Sequence, residues 1–433
     1  QQKRTDKGDG RMKAEIISVG SSLLTGRAVN ENAAFLTREL TALGITIAEV
    51  FMIAEEPEKF TETLKRAEKQ AELIVITGGL GPDADDSVKT TLSKYLKKPL
   101  VLDEDTQNRI ITFHKNSDLV MPENNQLQAL TLLDSIPLEN VTGLALGMFY
   151  QSDTHAYLLL PGPTDELIPM FNENAKPVIT KHLLKNKKIA KKIIRLFGLT
   201  LAQANHDLAD LLTTETNPVV QLYPAGLEIE VQITAMHKSE EKAQEAIAKI
   251  EKEIVKRTQP FIIGEGDQNL PNIVRELLIS KDLKITGAES LTGGAFLSEV
   301  SSLFEAGSIF EGGIVTYSET IKNELLGVTK ETIRKHGVVS AECAFEMAEK
   351  ARAKFNADIG VSLTGAAGPS SLEGEIPGTV WVGIATKENE TFAKKFHFGY
   401  KRNLNREYSV WSAFNMVRQL LVGEAIPDTV KKK

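Results

Sequence analysis

From Met12 onward, short apolar runs alternate with stretches whose apolar residues recur every three to four positions. AEIISV, TIAEVFMI and AELIVIT read as strands, and ENAAFLTRELTALG and PEKFTETLKRAEKQ between them read as helices. Ala33, Leu36, Leu40 and Leu43 fall on one helical stripe, and Gly44 suits the stop after it. LIVI, apolar throughout, has the character of a strand covered on both faces. Such a βαβαβ rhythm implies a mainly parallel sheet flanked by helices. After Asn172 the rhythm becomes that of a small α+β unit, with LEIEVQITAM alternating as a half-exposed strand. Its charged helix, SEEKAQEAIAKIEKEIVKRT, has an apolar face through Ala243, Ala246, Ile247, Ile250 and Ile254. From Asp267 an amphipathic helix feeds LKITGA, and two more strand-to-helix units follow at GGIVTYSETIKNELLGV and ADIGVSLTGAAGP. Three domains are expected: α/β over 12–171, α+β over 172–264 and α/β over 265–425.

Composition narrows the function classes. The 51 Lys+Arg and 58 Asp+Glu leave the chain mildly acidic, which argues against broad coating of nucleic acid. Positive charge gathers locally in KHLLKNKKIAKKIIR, residues 181–195. The single cysteine, Cys343, lies at helical spacing in AECAFEMAEKA and is expected to be a buried structural residue in a reducing cytoplasm. None of the seven histidines is paired at a metal-binding spacing. No apolar run reaches membrane-spanning length, so no membrane association is expected. The QQKRTDKGDGR leader and the PDTVKKK tail are expected to be unstructured.

Candidate chemistry centres on KITGAESLTGGAFLS, residues 284–298, where a buried strand meets a helix through Glu289, Ser290, Thr292, Gly293 and Gly294. Glycines there admit a ligand to backbone N–H groups, and the helix start favours negative charge. Ser290 is either a helix cap or an oriented nucleophile. Two other strand ends supply partners: Tyr317 with Lys322 one turn into its helix, and Thr364 with Gly365. A desolvated lysine beside a serine is an established pairing for acyl chemistry, with tyrosine as a proton relay. A second glycine loop, Gly78-Gly79-Leu80-Gly81, precedes Asp83, Asp85 and Asp86. It is either a phosphate cradle with oxygen ligands for a divalent cation, or a tight turn into an acidic first helical turn. Pro161-Gly162-Pro163 forms a rigid elbow after AYLLL.

VGSSLLTGRAVNENAAFL, TGGLGPDADD and LLLPGPTDELIPMF resemble the N-terminal domain of the CinA family, itself similar to MoaB/MogA-type molybdopterin-binding proteins. The resemblance implies a nucleotide pocket with Asn30, Gly78, Gly79, Gly81, Asp83, Asp85, Asp86 and Gly162 as candidates. It also implies cleavage of ADP-ribose with a divalent cation such as magnesium. This chain departs from the family pattern at Ser22, Asp83 and Val88, so a degenerate nucleotide-binding module is expected. The middle segment is similar to the family's KH-like domain but has no G-x-x-G clamp, and nucleic-acid binding is not expected. AESLTGG, Tyr317-Ser318 with Lys322, HGVVS and TGAAGP resemble the C-terminal domain of the same family, the PncC type. That resemblance implies hydrolysis of nicotinamide mononucleotide to nicotinate mononucleotide and ammonia without metal or other cofactor. It assigns Ser290 as nucleophile and Tyr317 and Lys322 as proton-transfer partners. Glu289, Thr292, Gly293, Gly294, Thr364, Gly365 and Arg406 are implied at the substrate, with Arg402 the alternative phosphate-binding arginine. A homodimer is expected, and a protein-interaction role in competence or DNA repair is the reading from another class.

Overall fold

The computed structural model describes residues 12–83, 86–117, 120–185, 187–212, 217–388 and 390–432. The leader expected to be unstructured lies outside them, as does Asp85. By contacts the chain forms two compact units, one of residues 1–191, 213–219 and 233–251, the other of 192–212, 220–232 and 252–433.

In the first unit the strands are β1 (Lys13–Val19), β2 (Thr46–Ile53), β3 (Leu73–Thr77), β4 (Leu100–Leu102), β5 (Leu130–Leu132), β6 (Ile136–Leu138), β7 (Gly147–Gln151) and β8 (Ala156–Leu160). Six of them form one sheet in the order β2–β1–β3–β8–β7–β6, and β4 pairs with β5 alone. β1, β2, β3 and β8 run parallel, β7 pairs antiparallel with β8, and β6 pairs antiparallel with β7. Strand periodicity sends alternate residues to opposite faces. Ile16, Leu73 and Val75 join one core with Leu36 and Leu40 of the helix Glu31–Ala42. Ile17, Ile74 and Ile76 join the other with Leu64 of the helix Pro57–Ala67 and Leu92 of Val88–Leu96. The chain leaves β1 for β2 on one side and returns to β3 on the other. That reversal opens a crevice at the carboxyl ends of β1 and β3.

Residues 172–264 contribute β9 (Lys188–Leu196), β10 (Val219–Ala225), β11 (Glu228–His237) and β12 (Ile262–Glu265), with helices at Leu201–Asp207 and Glu240–Thr258. β12 runs antiparallel to β9, with Ile262 opposite Leu196. The half-exposed strand expected here is instead mostly buried, down to the carboxylate-bearing Glu228. Burial of that charge is compensated by Arg195, whose guanidinium donates to Glu228 at 2.9 Å, to Glu230 at 2.7 Å and to the Gly266 and Asp267 carbonyls. Glu228 also accepts from the Leu270 amide and the Trp411 indole.

The rest of the second unit holds β13 (Ile285–Glu289), β14 (Ile314–Val315), β15 (Ile359–Gly365), β16 (Thr379–Thr386), β17 (Thr391–His397) and β18 (Thr429–Lys431), in the order β14–β13–β15–β16–β17–β18. β13 is parallel to both β14 and β15, and the remaining pairs are antiparallel. The reversal seen at β1 recurs between β13 and β15. Phe414 and Val417 of the helix Arg402–Val422 cover one face, and Cys343 and Met347 of Ala341–Lys354 the other. At Gly360 a Cβ would stand 2.2 Å from the Ala348 carbonyl oxygen, so only glycine lets that helix approach β15 so closely. The tail is not frayed throughout, because Thr429–Lys431 adds an edge strand to β17, with Lys431 opposite Phe392.

Candidate functional site

β13 ends at Glu289, and residues 290–294 turn into the helix Ala295–Ser302. Gly293 and Gly294 take φ of 62° and 100°, a left-handed pair that L side chains adopt only at a cost. Glu289 is fully buried, and its carboxylate accepts from the amides of Gly294 (3.1 Å), Phe296 (3.1 Å) and Leu297 (2.7 Å). These are helix-start donors that no residue of the helix itself can satisfy. Glu289 therefore holds the turn from beneath. Of the two roles open to it, orienting the turn or meeting a substrate, these contacts support the first.

Ser290 stands just past the strand, its amide donating to the Leu363 carbonyl of β15 at 2.9 Å. The Lys322 ammonium reaches it from the third strand end, donating to Ser290 Oγ at 2.9 Å and to the Thr316 carbonyl at 2.8 Å. Ser318 caps the short helical turn Glu319–Ile321, accepting from the Ile321 amide, and the turn Lys322–Leu326 that follows is π-helical. Lys322 is 1 % exposed. Burial lowers its pKa from the ordinary lysine value, and the Glu319 and Glu373 carboxylates oppose that shift. Cys343 is itself fully buried, and its thiol is pushed up to about 12 by burial, which fits the structural role read for it.

The three strand ends surround a cavity of about 490 Å³ lined by Ser290, Tyr317, Lys322, Thr364, Gly365 and Arg402, among others. Tyr317 is 60 % exposed, and its hydroxyl accepts from Arg402 Nη2 at 3.1 Å; no hydrogen bond joins it to Ser290 among the described residues. Thr364 Oγ1 donates to the Val338 carbonyl at 2.5 Å. A Cβ at Gly365 would lie 2.4 Å from the Thr379 carbonyl oxygen. Arg402 also donates to the Gly368 carbonyl at 2.7 Å. One turn on, Arg406 donates to the carbonyls of Leu291 at 3.0 Å and Thr292 at 2.8 Å. The cavity arginine is thus Arg402, and Arg406 braces the Ser290 turn from outside. Thr292 is fully buried, and neither it nor Gly293 or Gly294 lines the cavity, so these three shape the turn instead of meeting a ligand. Asn405, missed by the sequence reading, fixes the helix start. Its side chain donates to the Ala367 carbonyl at 3.1 Å and accepts from the Tyr400 amide at 3.0 Å.

In the first unit the crevice between β1 and β3 is a cavity of about 560 Å³ lined by Asn30, Gly78, Gly79, Gly81, Asp86 and Gly162, among others. A Cβ on Gly78 would lie 2.2 Å from the Val19 carbonyl oxygen, so the glycine is required by strand packing as well as by its φ of 87°. Asn30 caps the helix Glu31–Ala42 through the Ala33 amide and donates to Ser18 Oγ at 3.0 Å. Asn32 donates to the Gly162 carbonyl at 2.6 Å, leaving its own buried Oδ1 unpartnered. Asp83 is exposed and outside the cavity lining, which corrects its place among the candidates; its amide donates to Asp86 Oδ2 at 2.9 Å. Glu55 lines the wall but already accepts from the Ser21 amide and hydroxyl. Asp86 is thus the one predicted carboxylate that the described residues place at the cavity, and they hold no group of three or more His, Cys, Asp or Glu fit for a metal ion. Lys89, also missed, is buried behind this wall and donates to the Gln128 carbonyl at 3.0 Å.

Three family models match in succession: the probable molybdopterin binding domain over 15–181, the damage-inducible protein CinA KH domain over 191–264 and the CinA C-terminal domain over 267–421. The competence-damage inducible protein of Listeria monocytogenes serovar 1/2a is 41 % identical over 408 residues, covering 94 % of this chain and 99 % of that protein. Its counterpart in Bacillus subtilis is 36 % identical over 412 residues, covering 94 % and 98 %. A solved CinA superfamily protein from Klebsiella pneumoniae is 28 % identical and covers 36 % of this chain and 99 % of its own, with a TM-score of 0.35. Carrying all three domains in order and matching relatives over nearly their whole length, the chain belongs to the competence-damage inducible (CinA) protein family.

Proposed function

We propose that the Ser290 cavity hydrolyses the carboxamide of nicotinamide mononucleotide to nicotinate mononucleotide and ammonia. The observation that carries this reading is the 2.9 Å contact between Ser290 Oγ and a buried lysine ammonium at the meeting of three strand ends. A lysine whose pKa is lowered by burial can stand neutral near physiological pH, and the same contact then reverses, with Ser290 donating. Lys322 takes the hydroxyl proton as Oγ attacks the amide carbon. The oxyanion forms beside the Leu291 N–H, the first amide after the nucleophile. Lys322 returns the proton to the leaving nitrogen, ammonia departs, and a Ser290 ester remains. Water, deprotonated by Lys322, then attacks the ester carbonyl, Lys322 returns that proton to Ser290 Oγ as the C–Oγ bond breaks, and the freed acid ionises to the carboxylate product. Arg402, the cavity's guanidinium, meets the substrate phosphate.

Replacing Ser290 with alanine abolishes ammonia release while the fold survives, because a small buried turn residue is exchanged for a smaller one. Undiminished release from a folded Ser290→Ala protein overturns the nucleophile. A second reading, nucleotide binding at the first unit's cavity, is favoured by the glycine-lined strand ends and the unpartnered Asn32 Oδ1. ADP-ribose incubated with divalent ions tests whether that cavity also cleaves. AMP production would show that Asp86, despite the altered residues around it, still supports catalysis.

A further inference from the structure

The cavity at Ser290 is lined by charged side chains of both signs. Lys322 and Arg402 are its cations, and Glu319 is its one carboxylate among the described residues. Both cations are engaged. Lys322 donates to Ser290 Oγ and the Thr316 carbonyl, and Arg402 to the Gly368 carbonyl and the Tyr317 hydroxyl. Glu319 is exposed, and no hydrogen bond or ion pair among the described residues holds its carboxylate.

The backbone fixes where that carboxylate stands relative to the base. The Lys322 amide donates to the Ser318 carbonyl at 3.0 Å, so residues 318–322 make one α-helical turn. Three positions apart, Glu319 and Lys322 are neighbours on its surface. A carboxylate beside a lysine favours the charged lysine, and Glu319 acts against the burial that neutralises Lys322. For a base that works in its neutral form this is a disadvantage. A cation bound at Glu319 removes it by offsetting the carboxylate's field.

The substrate of the proposed amidase brings such a cation. In nicotinamide mononucleotide the ring nitrogen that bears the ribose is positively charged, and one ring atom separates it from the carbon carrying the carboxamide. With the carboxamide at Ser290 Oγ, the charged ring meets the surface that Lys322 shares with Glu319. We propose that Glu319 is a specificity residue, its carboxylate selecting a positively charged pyridine carboxamide over a neutral aromatic amide of the same shape. This selection rests on the Ser290 cavity being the nicotinamide mononucleotide site.

Calorimetric titration of the full chain carrying Ser290→Ala, which binds without turnover, tests it with two ligands. One is nicotinamide mononucleotide; the other is the carbon-linked benzamide riboside 5′-phosphate, of the same shape with an uncharged ring. An exposed ion pair is worth roughly two- to fivefold in affinity. The cationic ligand should bind tighter by about that factor, and adding Glu319→Gln should erase the difference by weakening that ligand alone. Glu324→Gln removes the same charge from an exposed residue outside the cavity lining and should leave both affinities unchanged. Thermal melts of each variant establish that the fold is intact. Equal affinity for the two ligands before Glu319 is changed, or a preference that survives Glu319→Gln, overturns the selection. So does a matching loss in Glu324→Gln, which would make the effect one of net charge, or a parallel loss of both ligands in Glu319→Gln. Ammonia release by the parent chain reports on the amidase reading separately. A Glu319-dependent preference in a chain that releases no ammonia upholds the selection and overturns the reaction, and failure of nicotinamide mononucleotide to bind overturns both.

Discussion

Lys322 is the residue whose environment bears most on the proposed chemistry. In that proposal its neutral form is the base, and burial favours that form, so the acid limb of the rate profile should lie below the ordinary lysine range. Ammonia release should rise with pH along that limb, and Lys322→Arg, permanently charged, should lose roughly 10²–10⁴-fold. A profile flat from pH 6 to 10 in the parent would exclude Lys322 as the base. Lys89 offers a parallel case without catalysis, since burial brings its pKa down to about 7. Below that value the folded state carries a buried charge that the unfolded chain keeps in water; above the ordinary lysine value both states are neutral. Stability should therefore rise with pH between those limits, and Lys89→Met should raise the melting temperature more at pH 6 than at pH 9. An equal shift at both would mean that the burial penalty is absent. The two arginines show where sequence reading stops. Arg402 and Arg406 are one helical turn apart, and it is the carbonyls of Leu291 and Thr292 that draw Arg406 away from the cavity.

At the level of elements, the periodic segments were the legible ones. The stripe through Ala33, Leu36, Leu40 and Leu43 is buried as read, and LIVI is covered on both faces. The strand-to-helix junctions were equally plain, because glycine and serine after an apolar run have few other uses. Glu289 was not legible. It precedes the turn it supports, reaching forward five to eight residues to three amides, a longer span than a capping box provides. Glu289→Gln keeps the shape but gives up the charge and turns a donor toward those amides. It should cost about 1–3 kcal/mol in denaturant unfolding and lower kcat through a displaced Ser290. A variant as stable and active as the parent would show that the Glu289 charge does not hold the turn. The buried character of Glu228–His237 was likewise hidden, since the compensating arginine lies more than thirty residues upstream of Glu228.

For the whole molecule, the amidase route draws only on side chains and backbone of one unit, so ammonia release should persist in excess chelator. Any ADP-ribose cleavage should stop there, and loss of both activities together would point to a metal in the Ser290 reaction. Arg195 is a global determinant of another kind. With its charge and hydrogen bonds removed, Arg195→Met strands Glu228 in the interior and should cost about 3–5 kcal/mol. Both described crevices arise where a parallel sheet reverses its order of growth, between β1 and β3 and between β13 and β15. The vacancy at each follows from connectivity, before any particular side chain is chosen. Chemistry can therefore lapse in one crevice without the crevice closing, and a chain can inherit a place to bind long after it has exchanged the groups that once reacted there.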